Sequence, residues 1–171
     1  MRKTAAAEPE AIAFLNARLI DPASGRLYVA DTANHRVLSW PSAADFRLGQ
    51  AADRVLGQPD FGTNTALVTP TAASLNNPIG MAVDGAGNLY VADIGAKAVL
   101  VYGPDRQFLR RIGGDKWFSR LTSVTVDPAG SKLYAVDIGG VSSERHVVRV
   151  FDAKSGEHLM DIGKRGSGPG E

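Results

Sequence analysis

Short apolar runs separated by turn residues dominate the chain, and they recur in groups. Three stretches align with one another: LIDPASGRLYVAD, AVDGAGNLYVAD and TVDPAGSKLYAVD. In each stretch, an apolar run leads to Asp, a Gly-containing turn, a second apolar run and a further Asp. Runs rich in Val, Leu, Ile and aromatic residues between Gly, Pro, Asp and Asn are typical of β-strands joined by tight turns. No helical periodicity of comparable length competes, so the pattern predicts an all-β protein.

Each repeat continues into a third and a fourth apolar run, so each unit is predicted to hold four short strands. The second and third units are 44 residues apart, from Leu89 to Leu133, which is typical of propeller blades. The first and second are 62 residues apart, from Leu27 to Leu89, and we expect an insertion in the first unit. The prediction is one domain over residues 1–171, with blades near 12–62, 75–114 and 120–164 and an inserted loop at 57–78.

Two quoted stretches carry a family resemblance. NPIGMAVDGAGNLYVAD and LYVADTANHRVLSW resemble the NHL repeat, a family usually built as a six-bladed β-propeller. RVLGQPDFGTN is similar to a blade ending of bacterial NHL proteins that are often exported, and IGKRGSGPGE is similar to their inter-blade connectors. The resemblance implies a propeller fold and says little about activity, because propellers host many functions.

Three blades do not close a ring, because closed propellers have about four to eight. The chain is therefore expected to be half of a six-bladed ring closed by two copies, or a natural or engineered fragment of a longer propeller. Both alternatives stay open at this point. In either case we expect two uncovered blade faces, each a large apolar surface that favours an interface.

The composition of the chain limits the classes of partner and site that we expect. Lys plus Arg number 19 against 18 for Asp plus Glu, a net charge of +1 that gives no reason to expect nucleic acid or a membrane surface as partner. There is no cysteine, which excludes disulfides and thiolate metal sites. No stretch approaches the roughly 18 apolar residues of a membrane span. As written, the chain is expected to be soluble and cytoplasmic, although the resemblance implies exported relatives.

The irregular loops gather at one end of the predicted ring, where strand two turns into strand three and each blade leads to the next. Binding commonly uses such loops on a rigid scaffold. The candidate ligand-binding residues there are Asn34, His35, Arg36, Lys97, Lys116, Trp117, Arg145 and His146. Asp31, Asp93 and Asp137 recur in every unit, so we expect them to bond to turn amides or to a neighbouring basic residue.

His35 and His146 fall at similar places in two different blades. A ring of histidines can hold zinc, and the resemblance extends to amidating lyases that use such a ring, but Lys97 stands at the equivalent place in the middle blade. A resemblance to lactonase-like six-bladed propellers would imply a calcium ion held by several oxygen ligands. No such set of ligands can be assigned from the sequence. No cofactor is expected, with zinc or calcium as the alternatives.

The function predicted from the sequence is a non-catalytic binding or scaffold module that presents loops at one ring end. Its partners would be itself or the remaining blades of a longer parent, with a protein, peptide or glycan as ligand. The alternative is a six-bladed propeller enzyme, zinc-dependent and amidating-lyase-like or calcium-dependent and lactonase-like. A basic and aromatic stretch, DRQFLRRIGGDKWFSR, is similar to a nucleic-acid surface, but its first half is an edge strand where charges commonly prevent pairing.

Overall fold

The computed structural model describes residues 15–66, 71–139 and 146–163, and these form three four-stranded antiparallel sheets. The first sheet holds β1 (Leu15–Ile20), β2 (Leu27–Asp31), β3 (Arg36–Trp40) and β4 (Arg54–Leu56), with a 3-10 turn at Thr32–Asn34. The second holds β5 (Pro78–Val83), β6 (Leu89–Asp93), β7 (Ala98–Tyr102) and β8 (Phe108–Gly113). The third holds β9 (Leu121–Val126), β10 (Lys132–Asp137), β11 (Val147–Asp152) and β12 (His158–Ile162).

Each sheet is a propeller blade whose strands follow chain order from the inside outward. The first strands of successive blades contact each other, β1 with β5 and β5 with β9, so they form the inner side of the arc. The predicted fold class, an all-β partial propeller of three blades, is confirmed. The extra length of the first blade is divided between two connections, 41–53 and 57–77.

Apolar side chains fill both junctions between blades. The first junction buries residues from both sheets, among them Tyr28, Val37 and Leu100, with Leu75 from the long connection. The second junction buries Tyr90 and Phe151 together with Phe118 from the connection between β8 and β9. Every residue of β6 and β7 is buried because the middle blade is covered on both faces. This explains why those strands are continuous apolar runs rather than alternating ones.

The outward face of the first blade is covered by the chain itself. Val29, Leu38 and Trp40 form a small buried cluster on this face, and Ala52 and Phe61 pack against it. We call residues 41–53 and 57–66 the first-blade cap, because these two segments supply the covering side chains. Two uncovered blade faces were expected, and for most of the first-blade face this is wrong. Ile20, at the inner edge of that face, is 56% exposed.

No described residue from outside the third blade covers its outward face. Met160 is 55% exposed and Ile162 is 48% exposed on β12. Tyr134, Val136 and Val148 lie on the same face, as the strand register shows, and are only partly buried. We call these five residues the open face. The chain therefore has one large apolar sheet face without a covering element among the residues described.

Candidate functional site

The turns between second and third strands and the connections between blades meet at one end of the arc, because strands alternate in direction. This end holds the β6–β7 turn, the β8–β9 connection and the segment 71–77. A pocket of about 260 Å³ opens where these three meet. We call it the loop-end pocket, and it is the candidate functional site.

The repeated aspartates position the loops of this end. The carboxylate of Asp93 accepts the backbone N–H of Asn76 at 2.5 Å and that of Ala96 at 2.8 Å. The carboxylate of Asp137 accepts the backbone N–H of Arg120 at 2.8 Å. Both aspartates thus tie the connection arriving from the preceding blade to their own strand, and both are fully buried. Asp31 is also fully buried and accepts hydrogen bonds from the side chains of Asn34 and Arg36.

Asp93 differs from the other two in its charge environment. Arg36 bonds to Asp31 at 2.7 Å, and Arg149 lies 3.7 Å from Asp137. At the position equivalent to Arg36, the second blade has Ala98. Burial therefore dominates and raises the pKa of Asp93 to about 6, although the hydrogen bonds from Ala96 and Asn76 oppose it.

The Asp93 carboxyl makes stability depend on pH. Its pKa rises from an ordinary 3.8 in the unfolded chain to about 6 in the fold, so the folded state binds more protons between these values. Its contribution is present below pH 4 and is lost as pH rises through 6, by up to about 3 kcal/mol. Against an Asp93→Asn variant in urea unfolding from pH 4 to 7, we expect the wild-type advantage to shrink as pH rises. Parallel curves for the two proteins would contradict this.

The β2–β3 turn of the first blade, with Asn34, His35 and Arg36, makes contacts that join neighbouring elements. His35 adopts a left-handed backbone with φ of 53°, and its Nδ1 accepts the backbone N–H of Asn77 at 3.2 Å. Arg36 is buried, at 1% exposure, and its Nη1 donates to the carbonyl of Phe61 at 2.6 Å. Of these predicted ligand-binding residues, His35 thus contacts the connection that enters the second blade, and Arg36 contacts the first-blade cap.

Lys97 lies at the loop end, next in the chain to Ala96 of the pocket lining. Its Nζ is 2.8 Å from Asp115 Oδ1, which joins the β6–β7 turn to the β8–β9 connection. The hydrogen bond from Lys97 lowers the pKa of Asp115. Lys97 is at the position equivalent to His35 and shares its left-handed backbone, with φ of 49°. The pair is exposed, so it orients the rim more than it stabilises the fold.

The lining of the loop-end pocket combines alanine and leucine side chains with polar groups, and these include both charges. Arg111 donates to the carbonyl of Ala96, and Asp115 faces it from the next connection. Ser74 and Asn76 add a hydroxyl and an amide. Gly95 is required where the turn meets this wall, because a Cβ there would clash with the Asn76 side chain. The combination suits hydrogen bonding to a small polar ligand.

Sequence reasoning missed most of these lining residues. Arg111 was considered only as part of a basic strand, and Asp115 and Asn76 were not singled out. Their convergence depends on the register of β8 and on the path of the 71–77 segment. One signal in the sequence could have indicated this pocket. Lys97 stands at the turn position equivalent to His35, and a carboxylate, Asp115, follows in the next connection.

Lys116 and Trp117 pack against the third blade. The indole of Trp117 stacks on the imidazole of His158 at 4.2 Å and meets Phe151 edge-on at 5.8 Å. The Nζ of Lys116 lies 4.8 Å from the centre of the indole ring. Trp117 is therefore half-buried at the second junction, while Lys116 remains exposed. Of the two predicted binding residues, Lys116 is the one available to a ligand.

His146 lies at a shallow cleft beside the open face, with Val148 and Ile162. Arg145 lies outside the described residues. No group of three or more His, Asp or Glu residues within 15–66, 71–139 and 146–163 is arranged to hold a metal ion. The inner strands β5 and β9, PIGMAV and LTSVTV, carry no carboxylate or imidazole. The described residues therefore do not fit a zinc or calcium centre.

The sequence of the chain matches one protein-family model over residues 2–137, with the description SMP-30/Gluconolactonase/LRE-like region. No curated protein matches the chain. The broader prediction of a β-propeller family is supported, while the assignment to the NHL repeat itself stays a prediction.

Solved structures show the fold alone. Hydrazine synthase of Kuenenia stuttgartiensis superposes with a TM-score of 0.61 at 17% identity, covering 86% of this chain and 35% of that one. The RRP9 WD40 repeats give 0.59 at 15%, covering 86% and 38%. A nidogen/laminin complex gives 0.57 at 20%, covering 85% and 45%. The chain thus spans between 35% and 45% of the length of these chains.

In the part of the chain that the structure describes, no helix has the length and apolar character needed to cross a membrane.

Proposed function

The chain belongs to the SMP-30/gluconolactonase/LRE-like family, and from this premise we propose that it is a propeller scaffold that associates with further blades and binds ligand at its loop end. The open face of the third blade is the observation that carries the proposal. The loop-end pocket supports the proposed ligand binding, because the polar groups of its lining offer hydrogen bonds but form no metal-ligand cluster within the described residues.

The open face repeats the surface that already joins blades. In the second blade, the residues at the same register positions are Tyr90, Ala92, Val99 and Ile112, and all are buried against the third blade. Their equivalents Tyr134, Val136, Val148 and Ile162 point outward on the third blade. A face whose counterparts carry a blade is suited to carry a further blade of a longer parent chain. Because the first-blade cap covers most of the opposite end, a second copy would meet this face with its own open face.

Self-association tests this proposal. Sedimentation velocity over a concentration series is expected to show the wild-type chain as a monomer in equilibrium with a dimer. Ile162→Asp places a charge on the open face and is expected to weaken the dimer at least about tenfold, since it removes apolar burial and desolvates a carboxylate.

The matched control is Leu48→Asp, a surface leucine of the first-blade cap that is 98% exposed. It makes the same change of charge and is expected to leave the dimer intact. Circular dichroism checks that both variants are folded. A wild-type chain that stays monomeric and soluble at every concentration would contradict association with a second copy and leave further blades of a parent chain as the partner.

A lactonase-like enzyme is the second candidate, because the family description names gluconolactonase. For this chain such an activity would require metal ligands from outside the described residues. The test is hydrolysis of a sugar lactone by the same preparation, with added zinc or calcium and with a chelator. A metal-dependent rate above spontaneous hydrolysis would favour the enzyme, and its absence would favour the scaffold.

A further inference from the structure

A second pocket lies at the opposite end of the blades, where the β1–β2 and β5–β6 turns face each other. It occupies about 320 Å³ between the first and second blades. Its lining includes three arginines, Arg26, Arg54 and Arg106, against one carboxylate, Asp21. Neither the sequence motifs nor the proposed scaffold role accounts for this pocket.

The pocket opens where a bond between neighbouring turns is missing. At the junction of the second and third blades, the backbone N–H of Gly85 donates to the carbonyl of Pro128 at 2.8 Å. The position equivalent to Gly85 in the first blade is Pro22, as the aligned repeats show. Proline has no N–H, so the first and second blades cannot form this bond. The pocket lies between the two turns that stay unbonded.

A polar group at this junction has lost the partner that its counterpart keeps. The hydroxyl of Tyr90 donates to Asp84 at 3.1 Å in the second blade. The equivalent hydroxyl of Tyr28 is buried and has no hydrogen-bond partner among the described residues. The equivalent carboxylate, Asp21, is occupied by the hydroxyl of Ser24 at 2.5 Å. The first junction therefore leaves a buried hydroxyl without the hydrogen bond that its equivalent makes at the second junction.

Arg106 is held at the pocket in an unfavourable backbone conformation. Its φ is 66°, and the third blade has Gly156 at the equivalent position, with φ of 77°. Its guanidinium lies 4.9 Å from the ring centre of Tyr28 and donates through Nη1 to the carbonyl of Gly87 at 3.1 Å. Its Nε is buried without a partner in the described part of the chain. A non-glycine residue strained in this way is commonly found at functional sites.

Arg54 shows a similar contrast. Its register equivalent in the second blade, Arg110, donates to the carbonyl of Ala153 at 3.0 Å. Within the described residues, Arg54 has only a long approach of 4.0 Å to Asp53, whose carboxylate is already bound by Arg26 at 2.6 Å. Burial lowers the pKa of Arg106, and the charges of Arg54 and Arg26 lower it further. A bound anion would offset this repulsion.

We infer that this pocket binds a small oxyanion, the phosphate or carboxylate group of a small molecule, between the guanidinium groups of Arg54 and Arg106. Guanidinium groups match the planar or tetrahedral oxygens of such anions through paired hydrogen bonds. The inference does not depend on self-association or on the loop-end pocket, which lies at the other end of the blades.

The test is calorimetric titration of the full chain with inorganic phosphate and, separately, with succinate, at an ionic strength held constant with sodium chloride. Arg106→Gly places the residue of the third blade at this position and relieves the left-handed strain, so it is expected to fold. Arg54→Gln removes the second cation. Each is expected to weaken binding about tenfold or more, as for loss of a charge-assisted hydrogen bond.

The control is Arg120→Gln, which removes one exposed positive charge at the loop end and is expected to change affinity less than about twofold. Tighter binding of phosphate or of succinate identifies which oxyanion the pocket prefers. The inference is overturned if neither anion binds beyond the chloride background. It is equally overturned if Arg54→Gln and Arg106→Gly bind as Arg120→Gln does.

Discussion

Arg36→Ala is expected to lower the free energy of unfolding by about 3–5 kcal/mol, because it leaves a buried carboxylate without its charge partner. Arg36 is 1% exposed, and its Nε donates to Asp31 Oδ2 at 2.7 Å. The same guanidinium donates to the carbonyl of Phe61, so the substitution also releases the first-blade cap. Urea unfolding followed by tryptophan fluorescence measures the loss, with Trp40 in the same blade as reporter.

The matched control for Arg36→Ala is Arg47→Ala on the cap. Arg47 is exposed, and its side chain bonds only to the carbonyl of the adjacent Phe46 among the hydrogen bonds described. We expect a change within about 0.5 kcal/mol for this surface position. Equal losses for the two variants would show that the buried ion pair and the cap anchor do not stabilise the first blade.

Phe118→Ala is expected to cost about 3–5 kcal/mol, as is usual for emptying a fully buried phenylalanine site. Phe118 has 0% exposure and packs against Phe151 with ring centres 5.7 Å apart. It lies in the connection that enters the third blade, so its loss opens the junction between the second and third blades. The cavity cannot close easily because both sheets are rigid.

A second phenylalanine provides the comparison for Phe118→Ala. Phe46 is 39% exposed and meets Trp40 edge-on at 5.6 Å, so Phe46→Ala is expected to cost about 1 kcal/mol. Thermal and urea unfolding of the two variants gives the difference directly. If Phe118→Ala lost no more than Phe46→Ala, the second junction would depend on other contacts.

The sequence predicts the blades well because their strands and turns are locally specified. Asp21, Asp84 and Asp127 each bond within their own tight turn, and this chemistry repeats in the letters of the chain. The cap is different, since Ala52 and Phe61 belong to no repeat and their contacts are long-range. A covering segment of that kind leaves no periodic trace in the sequence.

The candidate site was predictable only in outline. The sequence indicates which end of the ring carries the irregular loops, and the loop-end pocket lies there. Spacing cannot show that His35 bonds to Asn77, which is 42 residues away. It also cannot show that Trp117 turns back onto His158 instead of outward. Such choices depend on how neighbouring blades pack, which is a tertiary property.

The first-blade cap has a consequence for how the molecule can associate. A propeller segment with two bare ends is bivalent, and head-to-tail contacts between such units can extend without limit. Phe61 and Ala52 cover the outer part of one end, so the described residues leave one large apolar sheet face uncovered. Contact between two open faces would bury the large uncovered sheet face that the described residues present on each partner. Association through that face would stop at a pair and not grow into a filament.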